Sequence, residues 1–292
     1  MNRAPRLRKF VPTMLLLAAA VLMTPLAGLA QTKIKPPRNL FGVKDDVKFG
    51  REAAREAEGQ VKVLRDPEVT QYVESVGRRL VAALPPEYQH PEFRYTFKVV
   101  NDKDLNAFSL PGGPIYINRG MIEASRNEGE LAGVIAHEIS HVALRHGTSE
   151  MGKKLIALVG LEVLAAALGD GKAGKITEAV GAVGLSVYFL KFSRKNETQA
   201  DIMAAQLMAR AGYDPQDLAN VFQLLERKEG RSGPQWLSDH PNPGNRYDRI
   251  LQETALLNVS PYPIRGSEEL GYIQDRLRYR PRGFAVGASG GR

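Results

Sequence analysis

The chain of 292 residues contains no cysteine. That excludes disulfide staples, thiolate metal sites, a cysteine nucleophile and the lipid-bearing cysteine of a bacterial lipoprotein. Stability must come from a packed core, which a chain this long can bury. Long apolar runs are also scarce. Beyond the first 30 residues, Leu155–Leu168 and Val180–Leu190 are the most apolar stretches, and each falls short of the about 20 residues that a membrane-spanning helix needs. Charge of one sign is modest too. The net charge is +8, and Arg3, Arg6, Arg8 and Lys9 place four of those charges ahead of residue 31. No basic run is interleaved with aromatics, so nucleic acid is set aside as a partner. With 43% hydrophobic and 25% charged residues, the composition is that of a globular protein, neither disordered nor polytopic.

The amino end has the three parts of a secretory signal: basic Met1–Lys9, the Leu/Ala-rich stretch Met14–Met23, and small residues at Gly28 and Ala30 ahead of Gln31. Residues 1–30 are expected to be a cleaved signal peptide, with an uncleaved anchor as the alternative. Either way the positive end stays inside and the rest is exported, which in a two-membrane cell means the periplasm. Residues 31–43, rich in Lys and Pro, read as a linker. The folded domain is expected over 44–260, with an apolar helical insert at 155–190, and 261–292 reads as a C-terminal tail.

Within the domain a helix is expected over Asp45–Glu58. A second begins at Asp66-Pro67, an N-cap followed by proline in the first turn. It carries Val69, Tyr72, Val73, Val76 and Leu80 at helical spacing until Pro85-Pro86 stops it. Phe93–Val99 alternates apolar and polar residues as a half-buried strand does. Asn106–Leu110 and Ile115–Ile117 flank Pro111-Gly112-Gly113-Pro114, a turn between two short strands, and the nearby prolines suit a sheet edge. The fold class is therefore α+β: mostly helical, with a small, mainly antiparallel sheet.

The decisive feature is His137-Glu138-Ile139-Ser140-His141. It lies in a helix that Asn127 caps, with Glu130 completing a capping box, and that Gly147 is expected to end. At about 100° per residue, His141 lies about 40° round from His137 and one turn along, so both rings reach one ion. Glu138, about 100° from His137, reaches a water beside that ion without being a ligand. Zinc takes neutral imidazole nitrogen and, in catalytic sites, keeps one of four positions for water. It lowers that water's pKa from about 15.7 to about 7, so a neighbouring carboxylate can take the proton and pass it to the leaving amine. Downstream, Ser193 to Gly212 reads as a helix with Glu197 and Asp201 on one face. Glu197 can be the third ligand, and Asp201 can accept a hydrogen bond from a liganding imidazole.

These motifs together, with Asn106–Gly113 and Asp239-His240-Pro241 plus Arg246, resemble the gluzincin metallopeptidases of the family of CAAX prenyl endopeptidases, HtpX and OMA-type proteases. Its soluble, periplasmic BepA-like branch is the most similar. The resemblance covers most of residues 45–255 and implies a zincin-like metallopeptidase domain. His137, His141 and Glu197 would hold one Zn2+ per chain, Glu138 would be the general base, and Asp201 and Arg246 would support the ligands. Asn106, Ala107, Gly112 and Gly113 match the edge on which such enzymes lay an extended substrate, so the partners would be polypeptides. His240 has three readings: a donor to the oxyanion, a fourth zinc ligand that keeps the enzyme latent, or a loop residue paired with Arg246. His90 and His146 are assigned to structure. The insert at 155–190 is either a packed hairpin or a lid and membrane-surface contact. With no transmembrane helix after the leader, prenylated substrates do not fit. The expected function is cleavage of unfolded or misassembled envelope proteins. The rivals are a non-enzymatic chaperone or adaptor with a structural zinc, and a cytoplasmic hydrolase of small amides, which conflicts with the leader.

Overall fold

The computed structural model describes residues 31–160, 191–227, 235–240 and 245–279. Helix α1 spans Val43–Gln60. Helix α2, Pro67–Ala82, starts where Asp66 Oδ1 accepts the Val69 N–H at 3.4 Å, and it buries the expected stripe from Val69 to Leu80. Three short strands follow: β1 (Thr96–Val100), β2 (Ala107–Ser109) and β3 (Pro114–Asn118).

The β2–β3 hairpin forms as read, antiparallel with Phe108 opposite Tyr116. In its turn Gly112 and Gly113 have φ of 77° and 128°. A Cβ on Gly113 would stand 2.2 Å from the Arg94 carbonyl oxygen, and one on Gly112 2.8 Å from Val47 Cα. Only glycine lets this turn nest between α1 and β1. The sheet is mixed rather than mainly antiparallel, because β1 runs parallel to β3, with Phe97 opposite Ile115. Its order is β1-β3-β2. After Val100 the chain lays β2 one position away and returns between the two, so the returning strand must run with β1. Alternation in β1 turns Phe97 and Val99 into the core but carries no information about a neighbour's direction. The outcome leaves β2 as the sheet edge. Asn118 N–H donates to Asn106 O at 3.0 Å and Leu110 N–H to Pro114 O at 2.8 Å. Residues 106, 108 and 110 therefore point their main chain at β3, and residues 107 and 109 point theirs to the open edge.

After the short helix α3 (Arg119–Ala124) comes α4, Glu128–Ala143, every residue of which is buried. It packs against α2, β2, α6 (Arg194–Ala211) and α7 (Gln216–Arg227). Asn127 caps α4 by accepting the Glu130 N–H at 2.8 Å. The reciprocal half of the capping box is missing. The Arg126 guanidinium draws the Glu130 carboxylate one residue further back, where it takes the Arg126 N–H at 2.7 Å and Nε–H at 2.6 Å. Helix α4 also stops earlier than Gly147. Arg145 adopts the left-handed conformation, φ 58° and ψ 37°, and Gly147 sits in the first turn of α5, His146–Val159. That conformation costs an L-residue about 1–2 kcal/mol. Arg145 offsets it by donating to Asp46 Oδ2 at 2.5 Å and to Phe41 O at 2.6 Å.

Beyond α6, which Ser193 caps and left-handed Gly212 ends as expected, lie α8 (Gln235–Asp239), α9 (Arg246–Thr254) and α10 (Ser267–Tyr279). Residues 31–42, read as linker, and 267–279, within the stretch read as tail, belong to the body, while 280–292 lie outside the described residues. Residues 31–42 form no helix or strand, yet Ile34 and Phe41 are buried. Tyr88 Oη donates to Ile34 O at 2.7 Å and Gln206 Nε2 to Thr32 O at 2.8 Å. A Pro-rich extended strap needs no ladder partner, so its composition concealed the docking. Likewise α10 buries Leu270, Ile273 and Leu277, and Arg276 Nε donates to Asp66 Oδ1 at 2.9 Å. Of the expected insert, Leu155 is buried in α5, and residues 161–190 lie outside the described residues. Among the described residues no helix is long and apolar enough to cross a membrane.

Candidate active site

Helix α4 presents His137 and His141 one turn apart, α6 presents Glu197 and Asp201 one turn apart, and His240 directly follows α8. One donor atom from each of His137, His141, Glu197 and His240 lies within 4.8 Å of the others, and all four residues are buried. His141 Nε2 is 3.0 Å from His137 Nε2, and His137 Nε2 is 3.3 Å from His240 Nδ1. Glu197 Oε1 is 3.1 Å from His240 Nδ1 and 3.5 Å from His141 Nε2, and its Oε2 is 3.4 Å from His137 Nε2. Nitrogen or oxygen donors about 2.0–2.1 Å from a tetrahedral zinc lie roughly 3.3 Å from one another. The observed spacings, 3.0–3.5 Å, bracket that value.

The charges fit a divalent cation as well. Glu138, Glu197 and Asp201 are buried with a single guanidinium, that of Arg246, which leaves the carboxylates in excess. Burial works against a charged ring at His137, yet Asp201 and Glu197 raise its pKa to about 9. Burial likewise works against a charged Glu197, yet His240, His141 and His137 hold its carboxyl well below the usual range. His141, buried among other rings, is pushed down. The acidic groups thus favour positive charge beside them, which a protonated His137 or a bound cation would supply.

Outside the donors, Asp201 Oδ1 lies 3.1 Å from His137 Nδ1. His137 Nδ1 has no other hydrogen-bond partner, so this carboxylate is the polar group that faces it. Arg246 clamps Asp201 with Nε at 2.9 Å and Nη2 at 2.6 Å, and Nη2 reaches Glu197 Oε2 at 3.2 Å. Its guanidinium lies 3.8 Å above the Phe222 ring. Arg246→Ala would leave two carboxylates buried without their counter-ion. We expect a loss of about 3–5 kcal/mol of stability, read by chemical denaturation of the metal-free protein.

The structure also brings in residues that the motifs did not single out. Glu138, beside the donors, accepts the Trp236 indole N–H at 3.1 Å on Oε1 and the Ser109 hydroxyl at 2.8 Å on Oε2. Its Oε1 is 3.4 Å from His240 Nε2. Trp236 is the chain's single tryptophan, one helical turn before His240, and that spacing was a usable signal. Phe192 stacks on His141 with ring centroids 4.0 Å apart; an isolated aromatic gives no sequence signal for this. His146, read as purely structural, places Nδ1 3.0 Å from His141 Nδ1, and burial pushes its pKa down to about 3. His90 is structural as read, with Nε2 3.1 Å from Ala143 O.

Of the expected substrate residues, Asn106 and Ala107 lie at the start of the edge strand. Asn106 Nδ2 donates to Asp239 Oδ2 at 3.4 Å, and its own Oδ1 accepts the Ala107 N–H at 2.9 Å. A small pocket of about 10 Å³ lies at the Ser109 end of this edge, lined by Ser109, Leu110, Gly112, His141, Val142 and Phe192 among others. Gly113 has a different job. Its carbonyl accepts the Thr96 N–H at 3.2 Å, as that of Gly112 accepts the Arg94 N–H at 2.9 Å, so both continue the sheet.

A helix-borne histidine pair with a glutamate between, a carboxylate donor from a second helix and an edge strand alongside are together the arrangement of a zincin-like metallopeptidase. The chain belongs to peptidase family M48, whose model matches residues 67–254. It is 27% identical over 281 residues to the beta-barrel assembly-enhancing protease of Yersinia pestis, covering 90% of this chain and 57% of that protein. To the protein of that name from Escherichia coli K12 it is 28% identical over 213 residues, covering 70% and 43%. The mitochondrial metalloendopeptidase OMA1 of Schizosaccharomyces pombe is 30% identical over 183 residues, covering 62% and 52%. The chain thus spans about half the length of these curated relatives.

Proposed function

We propose that this chain is a zinc-dependent endopeptidase, that His137, His141 and Glu197 are its zinc ligands, and that Glu138 is its general base. The four-donor cluster at tetrahedral spacings, with the Glu138 carboxylate beside it, carries this reading. Zinc bound there would polarise a scissile carbonyl and bring a water's pKa down to about 7. Glu138, oriented by Trp236 and Ser109, takes the proton and delivers it to the leaving amine. Asp201 and Arg246 hold the His137 ring and the Glu197 carboxylate in place. An extended chain adds to the β2 edge at Ala107–Ser109 through main-chain hydrogen bonds once Asn106 Oδ1 releases the Ala107 N–H, so recognition depends little on side-chain sequence.

With His240 read as a fourth donor, the arrangement is a latent state that opens when this ring swings away. Recognition of extended chain suits unfolded or misassembled proteins. The signal-like residues 1–30 and the relatives named for beta-barrel assembly support the envelope, and in it the periplasm, as the place of action. The decisive experiment is digestion of casein or an unfolded outer-membrane protein by the wild type and by His240→Ala, before and after chelation. We expect one zinc per chain and cleavage that stops on chelation and returns with one equivalent of zinc. No cleavage by either protein with zinc bound would sink the proposal.

A further inference from the structure

His146 has no place in the chemistry just described, yet it is fully buried and touches a metal-binding ring. A ring that binds zinc through Nε2 is neutral and carries its proton on Nδ1. His141 faces the other donors with Nε2, so its Nδ1–H points at His146 Nδ1, 3.0 Å away. His146 Nδ1 must then be the acceptor, which puts its own single proton on Nε2. That nitrogen lies 3.3 Å from Gln199 Oε1, an acceptor. The Gln199 amide nitrogen in turn donates to the Lys35 carbonyl at 2.5 Å. Every hydrogen in the chain His141, His146, Gln199, Lys35 runs outward, and each group uses the one role left to it. It ends on the strap of residues 31–42, which Ile34, Asn39 and Phe41 fasten to the body.

Resting on the zinc reading of His141, we propose that His146 is a positioning residue for that ligand, and that Gln199 ties the pair to the N-terminal strap. His137 has a carboxylate as its outer partner; His141 has a second imidazole. Outer partners of this kind fix the ring's tautomer and orientation, and their loss weakens metal affinity roughly 10–100-fold. Docking of the strap thereby becomes part of how the site keeps its metal.

The test is zinc affinity by chelator competition, with the absorption spectrum of the cobalt-substituted protein as a second readout. We expect His146→Leu to weaken zinc binding roughly 10–100-fold and alter the cobalt spectrum. His146→Asn, whose side-chain oxygen can sit where Nδ1 was, should recover most of the affinity and the wild-type spectrum. Gln199→Ala should fall between, and His90→Ala should change neither readout. Wild-type affinity in His146→Leu, or an Asn variant no better than Leu, would show packing alone and overturn the proposal. If the Leu variant does not fold, Gln199→Ala decides, and an unchanged affinity there overturns the link to the strap. Failure of the wild type to bind zinc would instead defeat the metallopeptidase reading, and this inference with it.

Discussion

Glu138→Gln should abolish proteolysis while zinc content, fold and thermal midpoint stay at wild-type values. The carboxylate sits between two donors, the Trp236 indole N–H on Oε1 and the Ser109 hydroxyl on Oε2. A glutamine of the same shape can keep its oxygen on Trp236 and turn its NH2 toward Ser109, whose hydroxyl accepts as readily as it donates. No buried group is left unpaired, so the substitution costs little stability. Glu138 is not one of the four converging donors, so the metal stays. What disappears is a base able to take a proton, and such groups contribute roughly 10²–10⁴-fold to turnover. Assays of digestion and zinc content on the two proteins side by side check this. A variant that still cleaves would remove Glu138 from the chemistry. A wild type that never cleaves, yet protects unfolded clients no better and no worse than the Glu138→Gln variant, would favour a chaperone.

The second large effect is expected at His240. Its Nδ1 stands 3.3 Å from His137 Nε2 and 3.1 Å from Glu197 Oε1, in the corner that a working site keeps for water. Its Nε2 is 3.4 Å from Glu138 Oε1, so the same ring crowds the base. On the proposed reading, a zinc held by all four donors would have no open position for a water or a peptide carbonyl. If the open form is a minor state of about 0.1–10%, removing the ring raises activity roughly tenfold or more. His240→Ala should therefore digest casein faster than the wild type, with zinc affinity reduced by the loss of one donor. A collapse of turnover at unchanged zinc content would reverse the assignment and make His240 a donor to the oxyanion. Combining the two changes separates the effects: His240→Ala with Glu138→Gln should be inactive, because an open site without its base does no chemistry.

Local order made much of the site legible. His137, Glu138 and His141 sit within five consecutive residues, and helical geometry alone puts the two rings on one face. Glu197 and Asp201 are separated by one turn of a helix whose caps, Ser193 and Gly212, are written in the chain. Here a short-range pattern fixes a short-range geometry, and the structure returns both pairs as read. The hairpin around Gly112 and Gly113 is legible for the same reason, since its turn is local. The capping box of α4 failed because Arg126 competes for Glu130, and α4 ended early because Asp46, 99 residues away, anchors Arg145. Those are tertiary contacts acting on local signals.

The amino-acid order by itself determined helices α1, α2 and α6, the course of α4 up to its last turn, the histidine pair and the acidic pair, because each depends on backbone periodicity within one element. Only the tertiary structure decided that β1 runs parallel to β3, and that the strap and α10 belong to the body. It also decided that Trp236 and Ser109 hydrogen-bond Glu138, that His146 meets His141 and that His240 joins the donor cluster. Each of these is a meeting of segments distant in the chain. Such meetings are settled by which apolar faces pack together and which buried polar groups find partners, and no window of sequence contains that information.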